Sequence, residues 1–344
     1  MYKIFRLLLF LLPAEKAHNI TMFLIKSVSY IPGLPYLLKK ILSTNNKALE
    51  KEVFGLTFKN PVGFAAGFDK NAEVFNILGN FGFSFVEIGT VTPKSQSGNP
   101  KPRCFRLTKD NALINRMGFN NDGLPVIVKR LREKHKRTVI VGGNIGKNTT
   151  VPNKDAVSDY LKTFKGLYDY VDYFTVNVSC PNVGNLTQLQ DKSDLEILLK
   201  SLVNERKYMD IYRPVLVKIS PDLSFEQIDD TLYIIRETGI DGVVATNTTT
   251  SRDGLKTSDK EIAEAGQGGL SGQPLTKRSL EIVRYIHEQT SGKLPIIAVG
   301  GIMTVADAVN MLNAGADLIQ LYTGYIYQGP YFVKRIQKAL LKKH

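Results

Sequence analysis

Tyr173-Phe174-Thr175-Val176-Asn177-Val178-Ser179-Cys180-Pro181-Asn182 is the stretch that decides how this chain folds. Its first four residues are apolar or β-branched and read as a buried strand. The remainder places two carboxamides, a thiol and a chain-breaking proline where that strand opens into a loop. A strand end presents side chains rigidly, and a following loop is able to close over them. Asn supplies both donor and acceptor, which suits a planar ligand with amide and carboxylate groups. Cys takes a proton or attacks an electrophile. The same residues also suit a strand that ends in a Pro turn beside a buried, inert Cys.

The pattern recurs along the chain. Strand-like runs fall at 62–66, 85–89, 139–142, 173–178, 215–219, 242–246, 296–299 and 318–321, mostly bounded by Gly, Pro, Asn or Asp. Helical stretches fall between them, among them 191–204, 225–238, 277–290 and 305–314. Eight strands alternating with helices predict an α/β fold, a (β/α)8 TIM barrel. A doubly wound sheet is the structural alternative, disfavoured because no G-x-G-x-x-G opens a first helix. The Gly-rich segment 266–272 follows the sixth strand and precedes no helix directly.

At 344 residues the chain is long enough for one large barrel or two domains, and its 43% hydrophobic content is ordinary for a globular protein. Cys104 and Cys180 are the only cysteines, so no disulfide framework is implied and a reducing compartment is expected. A formal net charge of +13 points to an anionic partner: nucleic acid, a phosphate-bearing ligand or a membrane surface. Nucleic acid is the weakest of the three, because no zinc-finger spacing, RNA-binding signature or dense arginine patch is present. The four His are scattered without ligand spacing, and no metal is expected.

Residues 1–45 differ from the rest. The apolar run 7–12 is six residues long, far short of the ~20 that span a bilayer. A signal peptide fits Lys3 and Arg6 ahead of that run, but Pro13 ends it and no small-x-small cleavage site follows. A second apolar segment, 20–42, is broken by Pro32 and Pro35. Lys3, Arg6, Lys16, Lys26, Lys39, Lys40 and Lys47 face the single acid Glu15. Short, apolar, basic helices predict a piece that lies on a membrane without crossing it, each basic residue contributing ~1 kcal/mol near an anionic surface. The alternative is an amphipathic cap packed on the main domain. Residues 1–45 are accordingly assigned to a membrane-facing segment and 46–344 to the barrel.

Barrel chemistry belongs at the C-terminal strand ends. Read in order, these give Ala66-Gly67-Phe68-Asp69-Lys70, Gly89-Thr90, Asn144, then Asn177, Cys180 and Asn182, then Lys218, Thr246-Asn247-Thr248, Gly300-Gly301 and Tyr322-Thr323. Small residues late in the chain let backbone N–H groups approach a phosphate, although each Gly pair also suits a tight turn. Lys70 and Lys218 in a barrel mouth call for an anionic ligand, or for a cofactor that gains negative charge on reduction. No Ser-His-Asp triad and no carboxylate pair is evident.

With these residues in place the chain resembles the dihydroorotate dehydrogenases, specifically the membrane-associated, quinone-linked class. The resemblance covers nearly the whole chain. It rests on Gly63-Phe64-Ala65-Ala66-Gly67-Phe68-Asp69-Lys70, Val86-Glu87-Ile88-Gly89-Thr90-Val91-Thr92-Pro93, Gly98-Asn99-Pro100-Lys101-Pro102-Arg103, Asn115-Arg116-Met117-Gly118-Phe119-Asn120-Asn121 and Gly269-Leu270-Ser271-Gly272. It implies a barrel that binds FMN and oxidises dihydroorotate to orotate in pyrimidine biosynthesis, with a quinone as electron acceptor. It implies FMN contacts at Ala66, Gly67, Phe68, Asp69, Lys70, Thr90, Asn144, Asn177, Lys218, Thr246, Gly272, Gly301, Tyr322 and Thr323. It implies orotate contacts at Lys70, Asn115, Arg116, Met117, Gly118, Phe119, Asn177, Asn182, Asn247 and Thr248. His18, Arg106 and Tyr322 match positions toward the quinone, and Cys180 matches the catalytic base. The quinone-linked class usually carries Ser where this chain has Cys180, whereas the soluble class carries Cys. The alternatives are therefore the same reaction with fumarate or NAD as acceptor, and a phosphate-ligand barrel without catalysis. The class implies peripheral attachment to the cytoplasmic side of a bacterial inner membrane.

Overall fold

The apolar runs close into one parallel barrel of Val62–Phe64, Phe85–Val91, Ile140–Ile145, Tyr173–Asn177, Val215–Ile219, Gly242–Ala245, Ile296–Val299 and Leu318–Leu321, each hydrogen-bonded to the next and the last to the first. This computed structural model describes residues 2–133, 137–179 and 191–342. Every barrel strand is buried over almost its whole length, as expected for parallel strands covered by helices. Outer helices include Ala156–Leu167, Lys192–Arg206, Phe225–Thr238, Thr276–Gln289 and Val305–Asn313. Phe225–Thr238 starts at a capping box, with Ser224 and Gln227 satisfying each other's backbone N–H groups.

The alternation of side chains along each strand stacks the interior in layers. At the closed end Phe85 and Tyr173 lie in one apolar cluster with Phe58, Leu216, Val244, Ile297 and Leu318. Two glycines make room for those rings. A Cβ on Gly63 would lie 2.3 Å from the Phe85 ring, and one on Gly142 would lie 2.3 Å from Tyr173. The hairpin of Lys51–Val53 and Leu56–Phe58 plugs this end, with Phe58 edge-on to Phe85 at 5.2 Å. Two residues further along the strands the interior turns polar, with Glu87, Thr175 and Gln320, and two further still it opens as the mouth.

Three differences from the sequence expectation stand out. The first strand stops at Phe64, two residues short of the expected 66, and the chain turns at Gly67 with φ +97°. The third continues to Ile145, because Asn144 pairs in register with Thr175 and buries its amide. Within 266–272, Gly269–Gly272 is a strand of a small antiparallel sheet with Ala112–Asn115 and Cys104–Leu107, a sheet that four-residue strands hid from pattern reading.

Residues 2–42 form helices Tyr2–Phe10, Ala14–Val28 and Leu34–Leu42. Pro13 precedes the second, but Pro35 breaks nothing. It sits in the first turn of the third, where its missing N–H costs no hydrogen bond. Tyr2 Oη donates to the Ile326 carbonyl, Arg6 donates to that of Tyr327 at 2.8 Å, and Lys334 donates to that of Ile41 at 2.6 Å. No helix among the described residues is long and apolar enough to cross a membrane.

Candidate active site

One cavity of about 520 Å³ joins the barrel mouth to the space beneath the three N-terminal helices. Its two ends differ in chemistry. At the mouth lie Ala66, Gly67, Phe68, Lys70, Thr90, Asn177, Lys218, Thr246, Asn247 and Thr248, with Gly272 from the small sheet and Gly301, Tyr322 and Thr323 after the last two barrel strands. Under the helices the walls are mostly apolar, including Leu9, Phe10, Ala17, Leu24, Ile25, Val28, Leu34 and Leu38.

The mouth is held by buried polar groups. Thr90 Oγ1 donates to Asn144 Oδ1 at 2.5 Å, and Asn177 Nδ2 donates to Thr90 Oγ1 at 3.0 Å. Ser179 both donates and accepts: it donates to the Lys218 carbonyl at 2.9 Å and accepts from Asn247 Nδ2 at 2.9 Å. Lys218 is buried and, like Asn177 beside it in register, comes from the inward side of its strand. At the rim Thr276 Oγ1 donates to the Gly301 carbonyl at 2.6 Å, and a Cβ on Gly301 would meet Thr276 N at 2.3 Å. The Gly301 backbone therefore lies against the first turn of helix Thr276–Gln289, with glycine keeping that approach open.

The segment around residues 115–119 forms one wall. Gln96 Nε2 donates to the Gly118 and Phe119 carbonyls, both at 3.1 Å, and Asn99 Nδ2 donates to that of Arg116 at 3.0 Å. Asn115, Met117, Gly118 and Phe119 consequently face the cavity. Arg116 does not. Its guanidinium donates to the Pro102 carbonyl and stacks 5.3 Å from the Phe105 ring. Asp69 also turns away, accepting the Glu73 and Val74 backbone N–H groups at 2.8 Å each. Burial pushes its carboxyl up to about 6 against those hydrogen bonds. Asn144 lies below the mouth and does not line it. Cys180 and Asn182 lie outside the described residues.

On the helical side His18 packs edge-on to Phe68 at 5.1 Å and lines the cavity. Burial, and then the Lys70 charge, push its imidazole down to about 4, so it is neutral at physiological pH. Arg106 also lines the cavity, but its guanidinium caps the first helix, donating to Leu12 O at 2.5 Å and Leu9 O at 3.3 Å and lying 4.6 Å from the Phe10 ring. Sequence reasoning missed Glu15 as more than a lone acid. It receives Arg103 at 2.8 Å and Lys101 at 3.5 Å, and Arg103 in turn donates to Ser97 O at 2.5 Å and Asn99 O at 2.9 Å. Burial raises the Glu15 carboxyl, but the Arg103 hydrogen bonds and the charges of Arg103 and Lys101 together hold it below the usual range. Cys104 is a half-buried thiol in the same wall, raised by burial.

A polar strand-end mouth joined to an apolar helical entrance coincides with a sequence match over most of the chain. The family model described as dihydroorotate dehydrogenase matches residues 48–343. The chain belongs to the dihydroorotate dehydrogenase family. It is 51% identical to a dihydroorotate dehydrogenase (quinone) of Christiangramia forsetii over 100% of this chain and 99% of that protein. It is 45% identical to the protein of that name from Thermobifida fusca, over 98% and 90% of the two chains. Two DHODH crystal structures from Eimeria tenella, one with ferulenol and one ligand-free, superpose with TM-scores of 0.85 and 0.87 at 37% identity. They cover 95% and 96% of this chain, which covers 90% and 94% of theirs.

Membership of the dihydroorotate dehydrogenase family implies a flavin, and the mouth fits one. Buried Lys218 offers a cation at the mouth, Thr90 and Asn177 place polar groups beside it, and Gly272 and Gly301 line the rim without side chains. A Cβ on Gly272 would clash with Asn111 O at 2.4 Å and crowd Thr323 Cγ2 at 3.0 Å, so this part of the rim packs as closely as it does only with glycine.

Proposed function

We propose that this chain oxidises dihydroorotate to orotate through FMN and passes the electrons to a membrane quinone, a step of de novo pyrimidine biosynthesis. The observation that carries this is the single-cavity connection between the amide-lined mouth and the apolar space under the helices. FMN supplies a carrier that takes a hydride from one partner and yields electrons to another. Around it, Lys70 offsets the substrate carboxylate, and Asn115, Asn177, Asn247 and Thr248 present donors and acceptors to the pyrimidine edge. Lys218 offsets negative charge at the flavin. Cys180 takes the C5 proton. Ser179, its neighbour, has both its proton and a lone pair engaged, which supports the thiol over that hydroxyl as base. Asn182 is retained as a substrate contact from its place in the same sequence motif.

Residues 1–45 form the quinone entrance and attach the protein peripherally to the cytoplasmic side of the inner membrane. Twelve of the nineteen exposed large hydrophobic side chains among the described residues lie there, including Leu7, Leu8, Leu11 and Phe23. A soluble acceptor such as fumarate or NAD has no use for so apolar an entrance. Protein purified without added cofactor should absorb as a flavoprotein, bleach with dihydroorotate under anaerobic conditions, and recover its colour with a long-chain quinone. Colourless protein that fails to take up FMN overturns the cofactor, and recovery with fumarate or NAD in place of quinone overturns the acceptor.

A further inference from the structure

Glu87 has no solvent exposure, lies in the polar layer beneath the mouth and is not among the residues that line the cavity. It receives four hydrogen bonds. Gln320 Nε2, Thr175 Oγ1 and Tyr173 Oη donate to Oε2 at 2.8, 3.0 and 3.3 Å, and Asn144 Nδ2 donates to Oε1 at 2.8 Å. Burial, and then the Glu87 charge, push the Tyr173 phenol well above its ordinary range, so it stays a donor. A carboxylate only accepts, so Asn144 must turn its nitrogen down and its oxygen up. That oxygen accepts Asn177 Nδ2 at 3.3 Å, and Asn177 Oδ1 in turn accepts Asn247 Nδ2 at 3.2 Å. The Thr248 backbone N–H closes the upper end, donating to Asn247 Oδ1 at 2.9 Å.

Three amides therefore stand in series, each donating to the one below, between a donor-only backbone N–H and an acceptor-only carboxylate. We infer that Glu87 is a positioning residue for the substrate site: it terminates this series and thereby fixes which atoms Asn177 and Asn247 present to the pyrimidine. This rests on the proposal that orotate contacts those two residues. Without the acceptor, Asn144 has a buried N–H₂ group with no partner below. Turning it upward sets nitrogen against nitrogen at Asn177, and that contest disorders the site. Gln in place of Glu keeps the series. Its carbonyl still accepts from Asn144, and its new N–H₂ takes the place of Oε2, where Gln320 turns its amide over to present Oε1, an oxygen otherwise buried with no partner, and the Thr175 hydroxyl turns to accept.

The test is orotate affinity, read by perturbation of the flavin spectrum, in purified holoenzyme. Glu87→Gln should stay within about three-fold of wild type. Glu87→Leu should weaken orotate by about five- to thirty-fold, the scale of one lost buried polar partner, with quinone reoxidation unchanged. Asn144→Ala cuts the same series one step higher, so Glu87→Leu/Asn144→Ala should bind orotate as Asn144→Ala does, a non-additive cycle. If Glu87→Leu alone does not fold, the double variant carries the test, because it removes the orphaned amide of the series; the donors on Gln320, Thr175 and Tyr173 that also lose Glu87 lie off the series, and their effect is read separately as flavin content. Wild-type affinity in Glu87→Leu, equal losses in the Gln and Leu variants, or a double variant weaker than Asn144→Ala overturns the inference. Wild-type protein that fails to bind orotate overturns the substrate reading instead.

Discussion

The two ends of the cavity are built on opposite principles. The mouth is rigid and polar: Thr90, Asn144 and Asn177 on barrel strands, and Ser179 and Asn247 two residues past strand ends, form one hydrogen-bonded network. The helical end is apolar and is fixed by a few anchors, chiefly Glu15 with Arg103, Arg106 on the first helix, and Arg6 on Tyr327. A polar network specifies one geometry for one ligand, because an unmatched buried group is costly. An apolar wall tolerates a flexible tail and admits lipid-like chains, because dispersion and burial are non-directional. The lesson is that substrate recognition and acceptor entry draw on different physics within one cavity, so variants at the two ends should separate the half-reactions.

The largest separation is expected at Cys180. Cys180→Ala should slow flavin reduction by dihydroorotate by roughly 10²–10⁴-fold, the usual contribution of a positioned base, and leave reoxidation by quinone unchanged in rapid-mixing kinetics. The thiol titrates near ~8.5 when unperturbed, so wild-type reduction should rise with pH and level off once the thiolate dominates. Near-normal reduction in the variant would remove Cys180 from catalysis.

Lys218→Ala comes next. Losing a buried cation at the mouth forfeits charge-assisted bonding of about 1.5–3 kcal/mol, so FMN retention or the reduction rate should fall roughly 10- to 100-fold. Equal loss in quinone reoxidation alone, with flavin content and reduction intact, would place Lys218 on the wrong side of the comparison.

A smaller effect belongs to Glu15→Gln. The pair is only partly exposed, at 16% for Glu15 and 6% for Arg103, and its weakening should cost about 1 kcal/mol. The KM for quinone should rise about five-fold, with the saturated rate of flavin reduction unchanged. Because Arg103 also holds the Ser97 and Asn99 carbonyls behind the 115–119 wall, a larger rise in the KM for dihydroorotate than for quinone would show that the two ends are mechanically one.

The smallest effect is a pH dependence. His18 sits near 4 in the folded chain and about 6.5 unfolded, so the unfolded state binds more protons between those values. Its contribution to stability is therefore full above ~6.5 and declines as pH falls toward 4. The difference in Tm between wild type and His18→Phe should shift against wild type on going from pH 7 to pH 5. A difference that does not change with pH would mean that His18 is exposed in solution.

Much of this was legible in the residues. Eight β-rich runs with their punctuation specify the barrel, since alternation of strand and helix leaves few other ways to bury both faces. Ser224 with Gln227 marks a helix start by chemistry local to four residues. Lys70, Asn177, Lys218 and Asn247 stand at strand ends, and the closed barrel brings strand ends together whatever the loops do. What remained hidden depends on groups far apart in the chain. Arg116 lies inside a motif yet turns outward to Pro102 and Phe105, and Asp69 spends its carboxylate on its own loop. Arg106 caps a helix nearly a hundred residues away in sequence. Glu87 reads as one charge interrupting a buried strand. Its role follows only from the position of Asn144, Thr175 and Gln320 on three other strands. Periodicity and capping are short-range and survive in one dimension. Hydrogen-bond direction inside a barrel is set across strands, and only the closed sheet brings those partners within reach.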